Sequence, residues 1–210
     1  MKSARPLSYN LIYIKMPSFV NHAKKKAIIT NYKVMYSMLK KQKHWKKSKN
    51  WLVKLLPYRK FGLVRDPYDR LSSFYFDKLH KSLDDTDYFV RSQRIFFPVL
   101  GLEKASAKEK YVALKAVDFN RFIELLPEIY DKNRHLHPQH WVFDKLKIDK
   151  FLQIENESDQ QSMQNELDID LRIKANVTQK DDLQWKPALR RIVNEIYHKD
   201  FENYGYEMKS

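Results

Sequence analysis

The stretch FGLVRDPYDRLSSFYFDKL, residues 61 to 79, changes its hydrophobic period within a few residues. Phe61 to Val64 form a short apolar run, the pattern of a buried strand. After Arg65-Asp66-Pro67, the side chains of Leu71, Phe74, Tyr75, Lys78 and Leu79 share one helical stripe. Asp66 can cap that helix, Pro67 suits its first position, and Asp69 supplies an acid three residues after the cap. Capping leaves Arg65 unexplained: a guanidinium at a strand end can reach across the sheet edge and pair bidentately with a phosphate. Ser73 lies off the stripe, near the azimuth of Asp66, where it either adds a hydroxyl to the same anion or faces water.

The same alternation recurs along the chain. NLIYIK (10 to 15) reads as a first strand, MPSFV as a turn, and Ala27, Ile28, Met35 and Leu39 recur at helical spacing. DFNRFIELLPEIYD (118 to 131) reads as a capped helix, KIDKFLQIE (147 to 155) as a buried strand and DQQSMQNELDI as the helix after it. Pro187 to Phe201 reads as a helix with Leu189, Ile192, Val193, Ile196 and Tyr197 inward, and 81 to 117 as a helical insertion. Strands alternating with helices predict an α/β fold, a single domain over 1–210 with a mainly parallel sheet flanked by helices. Such sheets bind ligands where strand C-termini meet helix N-termini.

With 43% hydrophobic residues the chain can bury a core holding roughly 70% of its unfolded surface. It has no cysteine, which excludes disulfides and thiolate metal sites. No apolar run approaches the roughly 20 residues of a membrane span, and MKSARPLSYNLIYIK lacks a signal-peptide core, so a cytoplasmic protein is expected. Lys and Arg number 40 against 26 Asp and Glu, a formal charge of +14, which calls for an anionic partner or a phosphorylated ligand. Much of the excess lies in KKQKHWKKSKNWLVK, residues 40 to 54, where two tryptophans interleave with lysines. That segment is either a solvated loop or a surface for phosphate contact and base stacking; no nucleic-acid motif accompanies it.

The first junction, YIKMPSFV, offers Lys15 and Ser18 in a strand-to-helix loop, a place where phosphates bind. With only Gly62, Gly101 and Gly205 in the chain, no glycine-rich nucleotide loop exists. His135, His137 and His140 in NRHLHPQHW would be three imidazoles for a metal, but no carboxylate stands at the spacing of a zinc-hydrolase motif.

Taken together, these segments resemble the nucleotide-dependent sulfotransferases, in particular the carbohydrate group called sulfotransferase family 2, which use 3′-phosphoadenosine 5′-phosphosulfate (PAPS). FGLVRDPYDRLSSFYFDKL resembles their second motif, in which an Arg and a Ser eight positions later bind the 3′-phosphate of the nucleotide. The resemblance gives those roles to Arg65 and Ser73. YIKMPSFV stands at the place of the first motif, where a lysine and following hydroxyl residues bind the phosphosulfate, so Lys15 and Ser18 take that role. That loop departs from the family pattern at Ile14, Pro17, Phe19 and Val20. Either the cradle is thinner than the family's, or the register differs and Asn21 or His22 supplies polar contacts. NRHLHPQHW matches at His135, Pro138 and Gln139, KFLQIENESD at Glu155 and Asn156, and DFENYGYE at Asp200, Phe201, Gly205 and Tyr206.

The resemblance implies a P-loop-like fold and a sulfotransferase with PAPS as donor substrate and no required metal. Lys15 would neutralise the bridging and leaving oxygens, and His135 would accept the acceptor's proton, with His137 and Glu155 in reserve. The implied acceptor is a carbohydrate hydroxyl on a polysaccharide or glycolipid, with nucleic acid disfavoured and peripheral membrane contact left open. The rival is a nucleotide- or nucleic-acid-binding protein on the same scaffold without catalysis.

Overall fold

The computed structural model describes residues 17–84, 88–173, 183 and 185–210. The strand expected at 10 to 15, with Lys15 at its end, lies outside them. Among the described residues five strands form one sheet: β1 (Ser18–Asn21), β2 (Lys26–Thr30), β3 (Lys46–Ser48), β4 (Arg59–Val64) and β5 (Lys150–Gln153), in the order β3-β1-β2-β4-β5. β4 runs parallel to β2 and to β5, with Ile29 opposite Gly62 and Leu63 opposite Leu152. β1 is antiparallel to both of its neighbours. The sheet is therefore mixed, and the expectation of a mainly parallel one is corrected.

The reason lies in residues 18 to 30. The helical spacing of Ala27 and Ile28 misleads: KAIIT is a continuous buried run, the signature of a strand covered on both faces. A hairpin joins it to β1, with Asn21 Oδ1 accepting from Lys24 N at 3.1 Å and Lys25 in the left-handed region at φ 50°. Ser18, Phe19 and Val20, expected in a turn, thus lie in β1.

Among the described residues eleven α-helices cover the sheet and extend beyond it: α1 (Tyr36–Leu39), α2 (Asn50–Leu55), α3 (Pro67–Tyr75), α4 (Arg91–Arg94), α5 (Phe96–Val99), α6 (Ala107–Lys115), α7 (Phe119–Glu124), α8 (Leu126–Ile129), α9 (His140–Phe143), α10 (Glu157–Asn165) and α11 (Pro187–Tyr204). Strand alternation sorts the sheet's side chains. Phe61 and Leu63 join Phe19, Ile28, Leu152 and Met163 on one face, while Ala27, Ile29 and Val64 meet Val53, Val142, Phe143 and Tyr204 on the other. A third, all-helical cluster gathers Leu71, Phe74, Tyr75 and Leu79 with Phe96, Phe122, Ile129, Val193 and Tyr197. The stripe expected for α3 and the inward face of α11 are therefore seen, with Ile192 and Ile196 partly buried at its margin.

The lysine-rich segment divides. Trp45 is buried in the core and its indole N–H donates to Leu167 O at 2.9 Å, so it is no stacking platform. Trp51 is 46% exposed. Lys46 and Lys47 sit on the edge strand β3, where exposed lysines discourage pairing with another sheet. Among the described residues no helix is long and apolar enough to cross a membrane.

Candidate functional site

Parallel pairing brings the C-terminal ends of β2, β4 and β5 to one edge of the sheet, and the loops that leave them lie side by side. β4 is the middle strand of the three, so Arg65 emerges between the β2–α1 loop and the β5–α10 loop. Its Nη1 donates to Lys33 O at 3.0 Å, and its Nε lies 3.7 Å from Glu155 Oε1. At that distance Nε has no hydrogen bond, and it is a buried donor without a partner. The expected cap is in place, with Asp66 Oδ1 accepting from Asp69 N at 3.0 Å and Pro67 in the first turn.

The backbone of Arg65 is clamped by Gln139, which is fully buried. Gln139 Oε1 accepts from Arg65 N at 3.0 Å and its Nε2 donates to Arg65 O at 2.8 Å. Gln139 belongs to the histidine loop, and that loop is tied down by several groups. Asp200 accepts from Gln139 N at 2.7 Å, His140 N at 2.8 Å and His140 Nδ1 at 2.9 Å. The buried Arg70 donates to His135 O at 3.0 Å and to His137 O at 2.9 Å, and Tyr197 Oη donates to Leu136 O at 2.6 Å. One amide thus joins the strand-end arginine to the loop that carries His135.

His135 packs against the ring of Tyr32, centroids 4.5 Å apart, and its Nδ1 is buried without a partner. Burial first, then the charges of Lys33, Lys78 and Arg134, push its pKa down to about 3, so the imidazole is neutral at pH 7. The other two histidines turn elsewhere. His137 Nε2 meets Asp131 O at 2.9 Å, and His140 is bound to Asp200. Glu155 Oε1 accepts from Asp66 N at 3.2 Å and Tyr206 Oη donates to its Oε2 at 3.1 Å; burial raises its pKa. Asn156 caps α10, its Oδ1 accepting from Asp159 N at 3.1 Å.

Lys33 is the residue that the sequence reading missed. It stands three residues after the end of β2 and forms an ion pair with Asp77, and its backbone carbonyl holds Arg65. Lys33 and Met35 both occupy the left-handed region, at φ 69° and 52°, which for non-glycine residues costs on the order of 1 kcal/mol or more each. Ser37 follows four residues after Lys33, exposed in α1. The available signal was the run IITNYKVMYS, a strand followed by a lysine and, four positions on, a hydroxyl. Reading Ala27 and Ile28 as helix concealed it.

Lys15 lies outside the described residues. Ser18 is buried at the start of β1, level with Ile29 and at the same sheet edge as Arg65, but two strands away, about 10 Å at the usual strand spacing. Asn21 and His22 are at the opposite edge, three residues or about 10 Å further along β1, and His22 bonds Tyr58. Ser73 is half-buried on α3, on the face shared with Asp69 and, one turn on, Asp77. Arg65, Lys33 and His135 converge; Ser18 stands apart from them.

At this edge the cations Lys33, Arg65, Lys78 and Arg134 stand among the carboxylates Asp66, Asp77 and Glu155, and Arg65 Nε, His135 Nδ1 and Asn31 Nδ2 are buried nitrogens without a hydrogen-bond partner. Such a set can hold a doubly charged oxyanion and accept a proton beside it. A model of the sulfotransferase family matches residues 8–207, nearly the whole sequence, and the chain belongs to that family, as a member of its family 2 type. No curated protein and no solved structure matches it.

Proposed function

We propose that this member of the sulfotransferase family transfers a sulfuryl group from PAPS to a hydroxyl of a carbohydrate acceptor, a polysaccharide or glycolipid. The observation that carries the reading is the placement of Arg65 between Lys33 and Glu155, with His135 facing Lys33 and locked to Arg65 through Gln139. In this reading Arg65, with Ser73 on the adjoining helix, binds the 3′-phosphate. Lys33 takes the part expected of Lys15, neutralising the oxygen between sulfur and the 5′-phosphate; Ser37 supplies the hydroxyl expected of Ser18.

The step forms a bond from the acceptor oxygen to sulfur and breaks the bond from sulfur to the 5′-phosphate oxygen. The acceptor's proton passes to His135, and adenosine 3′,5′-bisphosphate leaves. A neutral imidazole suits that role, and the negative charge of a bound donor raises the basicity that Lys33 and Lys78 depress. Binding the acceptor in line with the breaking bond supplies the remaining advantage.

Adenosine 3′,5′-bisphosphate is expected to stabilise the chain against heat where ADP and ATP at equal concentration do not; at about 100 times its dissociation constant it adds roughly 2.7 kcal/mol. Arg65→Ala removes charge-assisted hydrogen bonds worth about 1.5–3 kcal/mol each, so calorimetric affinity drops by about 10-fold or more. Equal affinity in the variant, or no preference for the bisphosphate, counts against the reading.

A further inference from the structure

Asp77 has no part in the chemistry above, yet it is the carboxylate that touches two of the site's cations. Its Oδ2 pairs with Lys33 Nζ and lies 2.8 Å from Lys78 Nζ, and Ser82 Oγ donates to its Oδ1 at 3.3 Å. Asp77 lies where the helical pitch changes. α3 passes into a π-helical turn over Phe76–Lys81, and the Ser82 N–H reaches back five residues to Asp77 O at 2.9 Å. Single π-helical turns inside α-helices recur at functional sites. The carbonyl of Lys78, which an α-helix would pair with Ser82 N–H, instead accepts from the buried Gln93 amide at 2.9 Å, as does Ser82 O. Gln93 thus holds the wider turn in which Asp77 lies.

We propose that Asp77 is a positioning residue for this site: its carboxylate keeps the Lys33 ammonium protonated and fixed beside Arg65 and His135, so that an anionic donor meets a cation there near neutral pH. The inference rests on the sulfuryl-transfer reading. The groups facing Lys33 are Asp77 and Lys78 from the π turn, Arg65 from the end of β4 and His135 from its loop, with Arg134 beside His135 and Glu155 beyond Arg65. Burial, Lys78 and Arg65 all disfavour a charged Lys33, lowering it to about 8, and Asp77 opposes them. Asp77 is itself pushed up by burial, but its bonds to Lys33 and Lys78 outweigh that and hold it at about 2, ionised at every working pH.

The direct test follows the Lys33 ¹³Cε resonance against pH, assigned by its loss in Lys33→Arg. The midpoint is expected near 8 in the unaltered chain and lower by about one unit or more in Asp77→Asn. Lys78→Met, which leaves Asp77 to Lys33 alone, is expected to raise it, and this variant decides the matter should Asp77→Asn not fold. Calorimetric affinity for adenosine 3′,5′-bisphosphate gives the second readout: its alkaline decline moves to lower pH by the same shift in Asp77→Asn, and Asp77→Asn with Lys33→Arg regains the alkaline range. A Lys33 midpoint unmoved in folded Asp77→Asn, or unmoved or lowered in Lys78→Met, overturns the proposal. So does tighter binding by Asp77→Asn with an unmoved decline, which would make Asp77 a competing anion. If the unaltered chain does not bind the bisphosphate, the donor reading fails, and the Lys33 titration still decides the role of Asp77.

Discussion

Replacing Gln139 with leucine isolates the clamp between the strand-end arginine and the histidine loop. The side chains are similar in volume, so the packing of a residue that is 0% exposed is largely kept. What disappears is the pair of bonds to Arg65 N at 3.0 Å and Arg65 O at 2.8 Å. A buried polar group left unpaired costs about 1–3 kcal/mol, so two give about 2–6 kcal/mol, a large share of the roughly 5–15 kcal/mol that holds a domain folded. The loop itself stays anchored, because Asp200 still accepts from residue 139 N and from His140 N. The damage therefore falls on Arg65, whose guanidinium is no longer aimed by a fixed backbone. Urea unfolding with linear extrapolation measures the first quantity, and calorimetry with adenosine 3′,5′-bisphosphate measures the second. Gln139→Leu is expected to lower both stability and affinity. A loss under about 1 kcal/mol with unchanged affinity refutes the clamp, since two unpaired amide groups cannot cost so little unless Arg65 finds other partners.

His135→Ala is expected to keep nucleotide binding and lose transfer by about 100-fold or more; near-normal turnover would pass the base role to Glu155 or His137. The same residue affects stability against pH. Its pKa is about 3 when folded, so the unfolded chain, at about 6.5, takes the proton first. Its contribution is intact above about pH 6.5 and is lost as pH falls toward 3, by up to about 1.4 kcal/mol per unit, a slope absent in His135→Ala. Gln93→Leu deprives Lys78 O and Ser82 O of their donor and should cost about 2–6 kcal/mol in urea unfolding, while a cost near zero would mean that the π-helical turn reverts to α without penalty. Gly62→Ala puts a Cβ 2.5 Å from Phe151 Cδ1 and 3.3 Å from Ile148 Cγ2, and a loss of about 1–3 kcal/mol is expected, seen as a lower Tm; an unchanged Tm would show that Phe151 swings aside freely.

Local chemistry was enough wherever an element declared itself by both period and cap. The capped start of α3 and the Asp118 cap were legible for that reason, and the inward stripe of α11 by period alone, whereas the Asn156 cap of α10 was not read. The closing Asp200, Phe201, Gly205 and Tyr206 were legible as a pattern but not as structure. Only the fold shows Asp200 bonded to the histidine loop, Gly205 ending α11 at φ 67° and Tyr206 bonded to Glu155. Residues 18 to 30 misled because a short apolar run buried on both faces carries no period.

The strand-to-helix junction and the arginine that capping cannot explain follow from residues adjacent in sequence. The sequence therefore marks Arg65 as a candidate anion ligand, the family resemblance pairs Ser73 with it, and the chain's composition is strongly basic. Which lysine stands beside Arg65 is a question of strand order. Pairing of β2 with β4 brings Lys33 to Arg65, while the reversed β1 stands one strand further off with Ser18. His135 reaches the same edge from about seventy residues away, and Asp77 lies there within a π-helical turn that follows from no single residue type. Strand order and burial are properties of the whole chain's packing, and they decide which of its many cations meet His135 at one sheet edge.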